Sequence, residues 1–324
     1  MALRIVFCGT PAFAVPSLQR LIAQPDFEIA EVITQPDHPR GRGQEMAASP
    51  VKEAAAAAGI PVYQPEKIKS DEAYEHFKRL APDAVVIIAY GQIISQRLID
   101  LPQLGWINLH ASLLPKYRGA APINWAIING ETRTGITTMQ IDAGLDTGPM
   151  LLKRDTEIGP DETAPELTAR LAELGAPLIA ETLRGLERGA ITAIPQDDSQ
   201  ATLARPLKKN DGLIKWELAA EHTHQQIRGL QPWPGAFTSF RGKNCHIWGK
   251  PARQAVAGVR LKPAPTNESA APGTIIALSG QILAACGEGT ALHLEFVQLE
   301  GRKRVTAQEF VNGARLEPGE RFGS

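Results

Sequence analysis

Asn108 and His110 stand two apart in the apolar run "WINLH" (106–110), and Asp142 and Asp146 stand in the glycine-rich stretch "DAGLDTG" (142–148). Residues two apart on a strand share a face, so Asn108 and His110 point one way and Leu109 the other. An unpaired polar group in an apolar interior costs about 1–3 kcal/mol. The two side chains are therefore satisfied structurally or face a site. Asn can donate to a carbonyl oxygen and stabilise an oxyanion. His can move a proton near neutral pH or stabilise the anion as imidazolium, and both roles stay open here. An aspartate can orient and charge-tune the imidazole. With no nucleophilic Ser or Cys beside them, the three suit direct acyl transfer to an amine. Asp142 has a structural reading, an Asx turn beside glycine, which leaves Asp146 free to meet His110.

The carboxyl ends of parallel strands are where open α/β sheets place ligands, so the surrounding pattern matters. "LRIVFCG" (3–9), "FEIAEVIT" (27–34), "AVVIIAYG" (84–91) and "WINLH" are short apolar runs, alternating with helical patterns. That alternation predicts βαβ units and a doubly wound sheet. Ser49-Pro50 reads as a helix start and Gly59 as its stop. "GITTMQI" (135–141) and "PMLLKRDTEI" (149–158) read as two further strands, followed by an amphipathic helix over 163–186. Residues 35–48, "QPDHPRGRGQEMAA", read as a long exposed loop. The character changes after Gly189. Residues 190–207 read as a polar linker, "AAEHTHQQIRGL" as a helix, and "AFTSF", "CHIWG", "GTIIALSG", "QILAACG" and "ALHLEFVQL" as short strands. Strands at that spacing suggest a small five-stranded OB-like barrel, with 262–273 as a loop excursion from it. The expected division is 1–189, a linker at 190–207, and 208–324.

The chain has 324 residues, 43% hydrophobic and 21% charged, with a net charge of −1. That is the make-up of a globular protein of about two domains. Any surface for nucleic acid must then be local. Arg40 and Arg42 lie in the glycine-rich loop, Lys208 and Lys209 follow the linker, and Arg302, Lys303 and Arg304 form a run between strands. Arg241, Lys243 and Lys250 add to the basic C-terminal part. Taken together these read as a phosphate-tracking face. Three widely spaced cysteines, Cys8, Cys245 and Cys286, fit a reducing cytoplasm. No apolar run approaches the roughly 18 residues of a membrane span. The first strand is followed by Gly9-Thr10-Pro11 rather than G-x-G-x-x-G, which argues against a nicotinamide dinucleotide site. His222 and His224, two apart in a helical segment, face different ways and make no metal pair. No metal is expected.

"NLHASLLPKYRGAAPINWAIINGE" (108–131) followed by "GITTMQIDAGLDTGPML" (135–151) resembles the signature of the folate-dependent formyltransferases. The resemblance implies that Asn108, His110 and Asp146 are the catalytic set. It also implies that Ser112, Leu113, Leu114 and Pro115 form the loop holding the donor, 10-formyltetrahydrofolate. "FCGTPAFAVPSL", "TQPDHPRGRG", "ARPLKKNDGLIKW" and "RGLQPWPGAF" extend the likeness over the whole chain, to the branch of that family acting on initiator methionyl-tRNA. It implies a Rossmann-like catalytic domain, an OB-like tRNA-binding domain and a cytoplasmic monomer. In the loop after "GRG" the family often continues with lysines; this chain has Gln44-Glu45, which weakens the positive charge there. Relatives with the same catalytic set act on amino sugar nucleotides or glycinamide ribonucleotide, and a catalytically inert RNA-binding protein is the reading from another class.

Overall fold

The computed structural model describes residues 2–40, 45–252, 270–278, 280–317 and 319–323. They form two units. The first comprises Met1–Pro122, Arg133–Glu157 and Glu166–Arg205. Its strands are β1 (Leu3–Gly9), β2 (Phe27–Ile33), the short pair β3 (His38–Arg40) and β4 (Glu45–Ala47), β5 (Val62–Tyr63), β6 (Ala84–Ile88), β7 (Trp106–His110), β8 (Arg118–Gly119), β9 (Arg133–Gln140), β10 (Met150–Glu157) and β11 (Leu203–Ala204). Helices α1 (Val15–Ile22), α2 (Pro50–Ala57), α3 (Asp71–Leu80), α4 (Gln96–Ile99) and α6 (Ala164–Glu187) are interleaved with them, while α5 (Pro122–Ile128), between β8 and β9 in sequence, falls almost wholly in the second unit.

Seven strands make the main sheet in the order β10-β9-β7-β6-β1-β2-β5. The five from β7 to β5 are parallel, and β9 and β10 are antiparallel additions at one edge. Every residue of β6 is buried, which is why "AVVII" shows no alternation: both faces are covered. The chain runs outward from β1 to β2 and β5, then returns to β6 and β7 on the other side. The β1/β6 junction is thus the switch point of a doubly wound sheet. Ser49 caps α2 by accepting from the Lys52 N–H at 3.0 Å, with Pro50 at the first helical position, as the Ser-Pro pair signals.

Two packing contacts orient β7. Gly175 of α6 meets Leu109: a Cβ there would lie 2.4 Å from Leu109 Cδ2. Leu109 is therefore directed at α6. On the opposite face Trp106 stacks against Phe77 of α3 with centroids 5.3 Å apart, and its indole N–H donates to the Leu98 carbonyl at 2.8 Å. Asn108 and His110 follow Trp106 along that same face.

The second unit comprises Ile123–Thr132, Ile158–Pro165 and Pro206–Ser324. It contains α7 (Ala220–Gly229), β12 (Phe237–Phe240), β13 (Lys243–Pro251), β14 (Ile275–Leu278), β15 (Gln281–Ala285), β16 (Ala291–Leu299), β17 (Val305–Thr306) and α8 (Ala307–Ala314). The strands form an antiparallel sheet, β12-β13-β16-β15-β14, with β17 beside β16. Ile247, Leu292, Leu294 and Val297 meet Ile227 of α7, Phe310 of α8, and the stacked pair Trp216–Phe322. The α/β class, with a Rossmann-like sheet followed by a smaller antiparallel β unit, agrees with the sequence reading.

Three local expectations change. Residues 35–48 are not wholly loop, because β3 and β4 pair as a ribbon with Arg40 opposite Glu45. Three-residue strands carry no period to read. Arg42 and Gln44 lie outside the described residues, as does most of the 262–273 excursion. The stretch 190–207 is not a free linker. Ile194 bridges to Met150, β11 pairs with β8, and the first unit extends to Arg205. Its polar residues serve hydrogen bonds to that unit. Helix α8 was not expected, although its capping box, Thr306 with Glu309, is legible as T-x-x-E. Among the described residues no helix is long and apolar enough to cross a membrane.

Truncating Phe77 to alanine removes the ring that backs Trp106. The expected cost is about 3–5 kcal/mol, read as a lower denaturant midpoint for the first unit, with a much smaller loss, about 1 kcal/mol, for Ser49→Ala.

Candidate active site

β7 leaves the helix-covered interior at its carboxyl end. Asn108 is 9% and His110 6% exposed. The loop after the strand turns back on the imidazole: Tyr117 takes φ +62° and Gly119 φ +119°. This places the Tyr117 carbonyl 2.9 Å from His110 Nε2. A carbonyl only accepts, so Nε2 carries the proton and Nδ1 is the nitrogen left to exchange one.

Nδ1 faces Asp146 Oδ2 at 3.6 Å. That is too long for a hydrogen bond and close enough for strong attraction once the imidazole is charged. Gln140 pairs with Ile107, three residues before His110, so the loop after β9 returns toward the strand end to deliver Asp146. Asp146 itself has φ +52°. Its Oδ2 accepts from the Gly119 N–H at 2.8 Å. The Gln196 side chain donates to the carbonyls of Asp146 and Gly148 at 2.7 and 2.8 Å. Asp142 instead accepts from Gly144 N and Thr147 Oγ1 within its own turn, as an Asx turn would. The structure thus brings Asp146, not Asp142, to His110. No side-chain hydrogen bond of Asn108 is found among the described residues, and its amide is a donor on the same strand face as the imidazole.

Ser112 to Pro115 is a braced wall. Thr137 Oγ1 donates to the Ser112 carbonyl at 2.7 Å and accepts from Leu114 N at 3.2 Å. Ser112 Oγ donates to the Lys116 carbonyl. Lys153 Nζ donates to the Leu114 carbonyl, and burial lowers its pKa below the usual lysine range. The Leu114 side chain is buried with Met139 and Met150, so it supports the wall from behind. Leu113 lies over Gly135. Sequence reasoning missed the turn after β6. Ala89 and Gly91 have positive φ there, and the Tyr90 carbonyl accepts from Thr10 Oγ1 and Gln35 Nε2, both at 3.1 Å. The turn closes the switch point and leaves Ile93 87% exposed, while Leu145 in the Asp146 loop is 65% exposed. The carboxyl-end rule applied to "AVVIIAYG" could have found it.

The chain matches the family model described as "Formyl transferase" over residues 3–183, and "Formyl transferase, C-terminal domain" over 206–315. A protein named "Methionyl-tRNA formyltransferase" from Solibacter usitatus is 57% identical over 321 residues, 99% of each chain. One of the same name from Geobacter metallireducens is 50% identical over 322 residues, again 99% of each. The chain belongs to the methionyl-tRNA formyltransferase family. Among solved structures, WlaRD, described as a sugar 3N-formyl transferase in the presence of dTDP and 5-N-formyl-THF, aligns with a TM-score of 0.63 at 18% identity. The alignment covers 94% of this chain and 100% of that one, and shows a shared fold.

The basic residues singled out in this formyltransferase divide by environment. Lys208, Lys209, Arg302 and Lys303 are exposed. Arg304 lies over the Trp248 and Phe296 rings at 4.2 and 4.1 Å from their centroids, so its cation is partly spent on packing. Arg241 is paired with Glu320 and Lys250 with Asp161, which takes both out of the free basic set. Arg40 belongs to β3.

Gly119→Ala tests the Asp146 support. A Cβ would lie 2.7 Å from the Ala204 carbonyl, and the positive φ is strained for alanine. The backbone must shift and carry its N–H away from Asp146. Turnover should fall about 10²-fold, the scale of a 1 Å misplacement, with folding retained by circular dichroism.

Proposed function

We propose that this protein transfers the formyl group of 10-formyltetrahydrofolate to the amino group of methionine on initiator methionyl-tRNA, in the cytoplasm and as a monomer. The observation that carries the chemistry is the arrangement at His110. One ring nitrogen is committed to the Tyr117 carbonyl, the other faces Asp146, and the Asn108 amide, without a side-chain hydrogen bond among the described residues, shares the same strand face. The bound donor supplies an electrophilic formyl carbon. The Asn108 amide N–H donates to the oxygen of that group as negative charge grows on it. His110 Nδ1 takes the proton released by the attacking amine, and Asp146 stabilises the imidazolium that results. The same Nδ1–H then returns the proton to the departing nitrogen. Leu113 and the exposed Ile93 and Leu145 supply apolar surface for a flat ring, and the wall at Ser112–Pro115 keeps its place without rearrangement. The match at 206–315 favours a tRNA substrate over glycinamide ribonucleotide, whose small size leaves a second unit unused.

The test is mass spectrometry of methionyl-tRNA incubated with protein and 10-formyltetrahydrofolate, with free methionine and amino sugars in parallel. A gain of one formyl group on methionyl-tRNA alone is expected. His110→Ala should lower kcat by about 10²–10⁴ and Asn108→Ala by about 10²–10³. A correctly folded His110→Ala with near wild-type turnover would sink the assignment.

We further propose Lys208, Lys209, Arg302 and Lys303 as phosphate contacts, with Arg40 and Arg42 near the acceptor end. Neutralising a contact should flatten the salt dependence of tRNA affinity by a slope of about one per phosphate lost. Arg304→Ala should change the slope least, because its guanidinium is packed on rings. An unchanged slope after neutralising all four exposed cations would move the tRNA site elsewhere.

A further inference from the structure

The side of the C-terminal sheet away from its core has chemistry that phosphate contacts leave unused. Along β12, β13 and β16 the buried residues alternate with half-buried ones. The half-buried set places Phe237 opposite His246 and His246 opposite Gln298. The ring centroids of Phe237 and His246 are 5.8 Å apart, and those of His246 and Trp248 6.2 Å. Arg304 covers the Trp248 end of this row. The other end opens into a cleft of about 250 Å³ lined by Asn244, His246, Gln298, Leu299, Glu300 and Gly301.

The cleft is rich in acceptors. Asn244 Oδ1 is buried and has no hydrogen-bond partner among the described residues, an arrangement that costs stability unless a ligand donates to it. Gln298 spends one amide N–H on the Arg302 carbonyl at 3.0 Å, leaving its oxygen as an acceptor beside a second N–H. The Glu300 carboxylate makes no ion pair among the described residues. Burial, more than the charge of Lys209, lowers the His246 pKa, so the ring presents a neutral face. Cations flank the mouth: Lys209 acts on His246, and Arg302 and Lys303 follow directly after Gly301.

We propose that this cleft takes one unstacked guanine of the tRNA, its ring against His246 and its donor edge on Glu300 and Asn244. The proposal rests on the methionyl-tRNA reading above. Guanine fits because it presents N1–H and N2–H side by side, which a carboxylate accepts together. Adenine sets one acceptor beside its donor on that edge, cytosine two acceptors beside one donor, and uracil one donor between two acceptors. Each would turn a lone pair toward Glu300 or Asn244. The flanking cations match the phosphates on either side of a splayed nucleotide, and stacking on an aromatic ring is the usual means of holding one.

The experiment combines kethoxal footprinting, which modifies guanine at N1 and N2, with kinetics on methionyl-tRNA. Wild type should protect one guanine of the bound tRNA, and Glu300→Gln and His246→Ala should expose it again. Both variants should raise KM about tenfold, the scale of one lost base contact, with kcat and the salt slope unchanged. Asn244→Ala serves as a third variant where circular dichroism shows that His246→Ala is misfolded. Absence of a guanine protected by wild type and released by Glu300→Gln overturns the proposal. So does guanosine monophosphate filling the cleft without altering the KM for tRNA. A wild-type protein that formylates no methionyl-tRNA overturns the functional reading instead, a result separate from either of these.

Discussion

The hydrogen bond from His110 Nε2 to the Tyr117 carbonyl is the constraint on which the site depends. It settles which nitrogen holds a permanent proton, and thus which one can trade a proton with a substrate. It also requires the loop after β7 to reverse through two residues of positive φ, Tyr117 and Gly119. That reversal is what aims the Gly119 N–H at Asp146. Imidazole, carboxylate and loop are therefore one mechanical object, and disturbing any of them displaces the others.

The sheet beneath supplies orientation more than chemistry. Leu109 faces α6 through the space left by Gly175, and Trp106 faces α3 against Phe77. With both neighbours packed, the face of the strand that carries Asn108 and His110 is set. A doubly wound sheet usually invites a dinucleotide at its switch point. Here the first βα turn lacks the dinucleotide glycines, and side chains of Thr10 and Gln35 donate to the Tyr90 carbonyl beside it. The same scaffold thus serves group transfer, because function lies in the loops at the strand ends.

Much of this was legible in the sequence, for a physical reason in each case. β6 and β7 were readable because strands covered on both faces are continuously apolar. Asn108 and His110 stood out because polar residues interrupt such a strand only at a cost. The short ribbon 38–47 was not legible, since three-residue strands carry no period. The segment 190–205 was misread because hydrogen-bonding side chains such as Gln196 and solvated linker residues have the same composition. The rings of Trp248 and Phe296 beneath the exposed Arg304 were not legible, because aromatic residues distant in sequence give no sign of stacking on it. Charge is visible in sequence, but what already occupies a charge is not.

The clamp by Gln196 has a consequence for how such proteins can be cut and recombined. Gln196 holds the backbone on both sides of the Asp146 turn, and Thr202 accepts the Tyr117 N–H at 2.8 Å. Both belong to a stretch that follows the last helix of the catalytic sheet. A fragment ended at Gly189 keeps Asn108, His110 and Asp146 and loses the two residues that hold the backbone beside them. The last segment of the first unit runs to Arg205 and not to Gly189. An exchange of C-terminal modules between lineages must carry residues 190–205 with the catalytic partner, or it inherits a site whose parts are present and out of alignment.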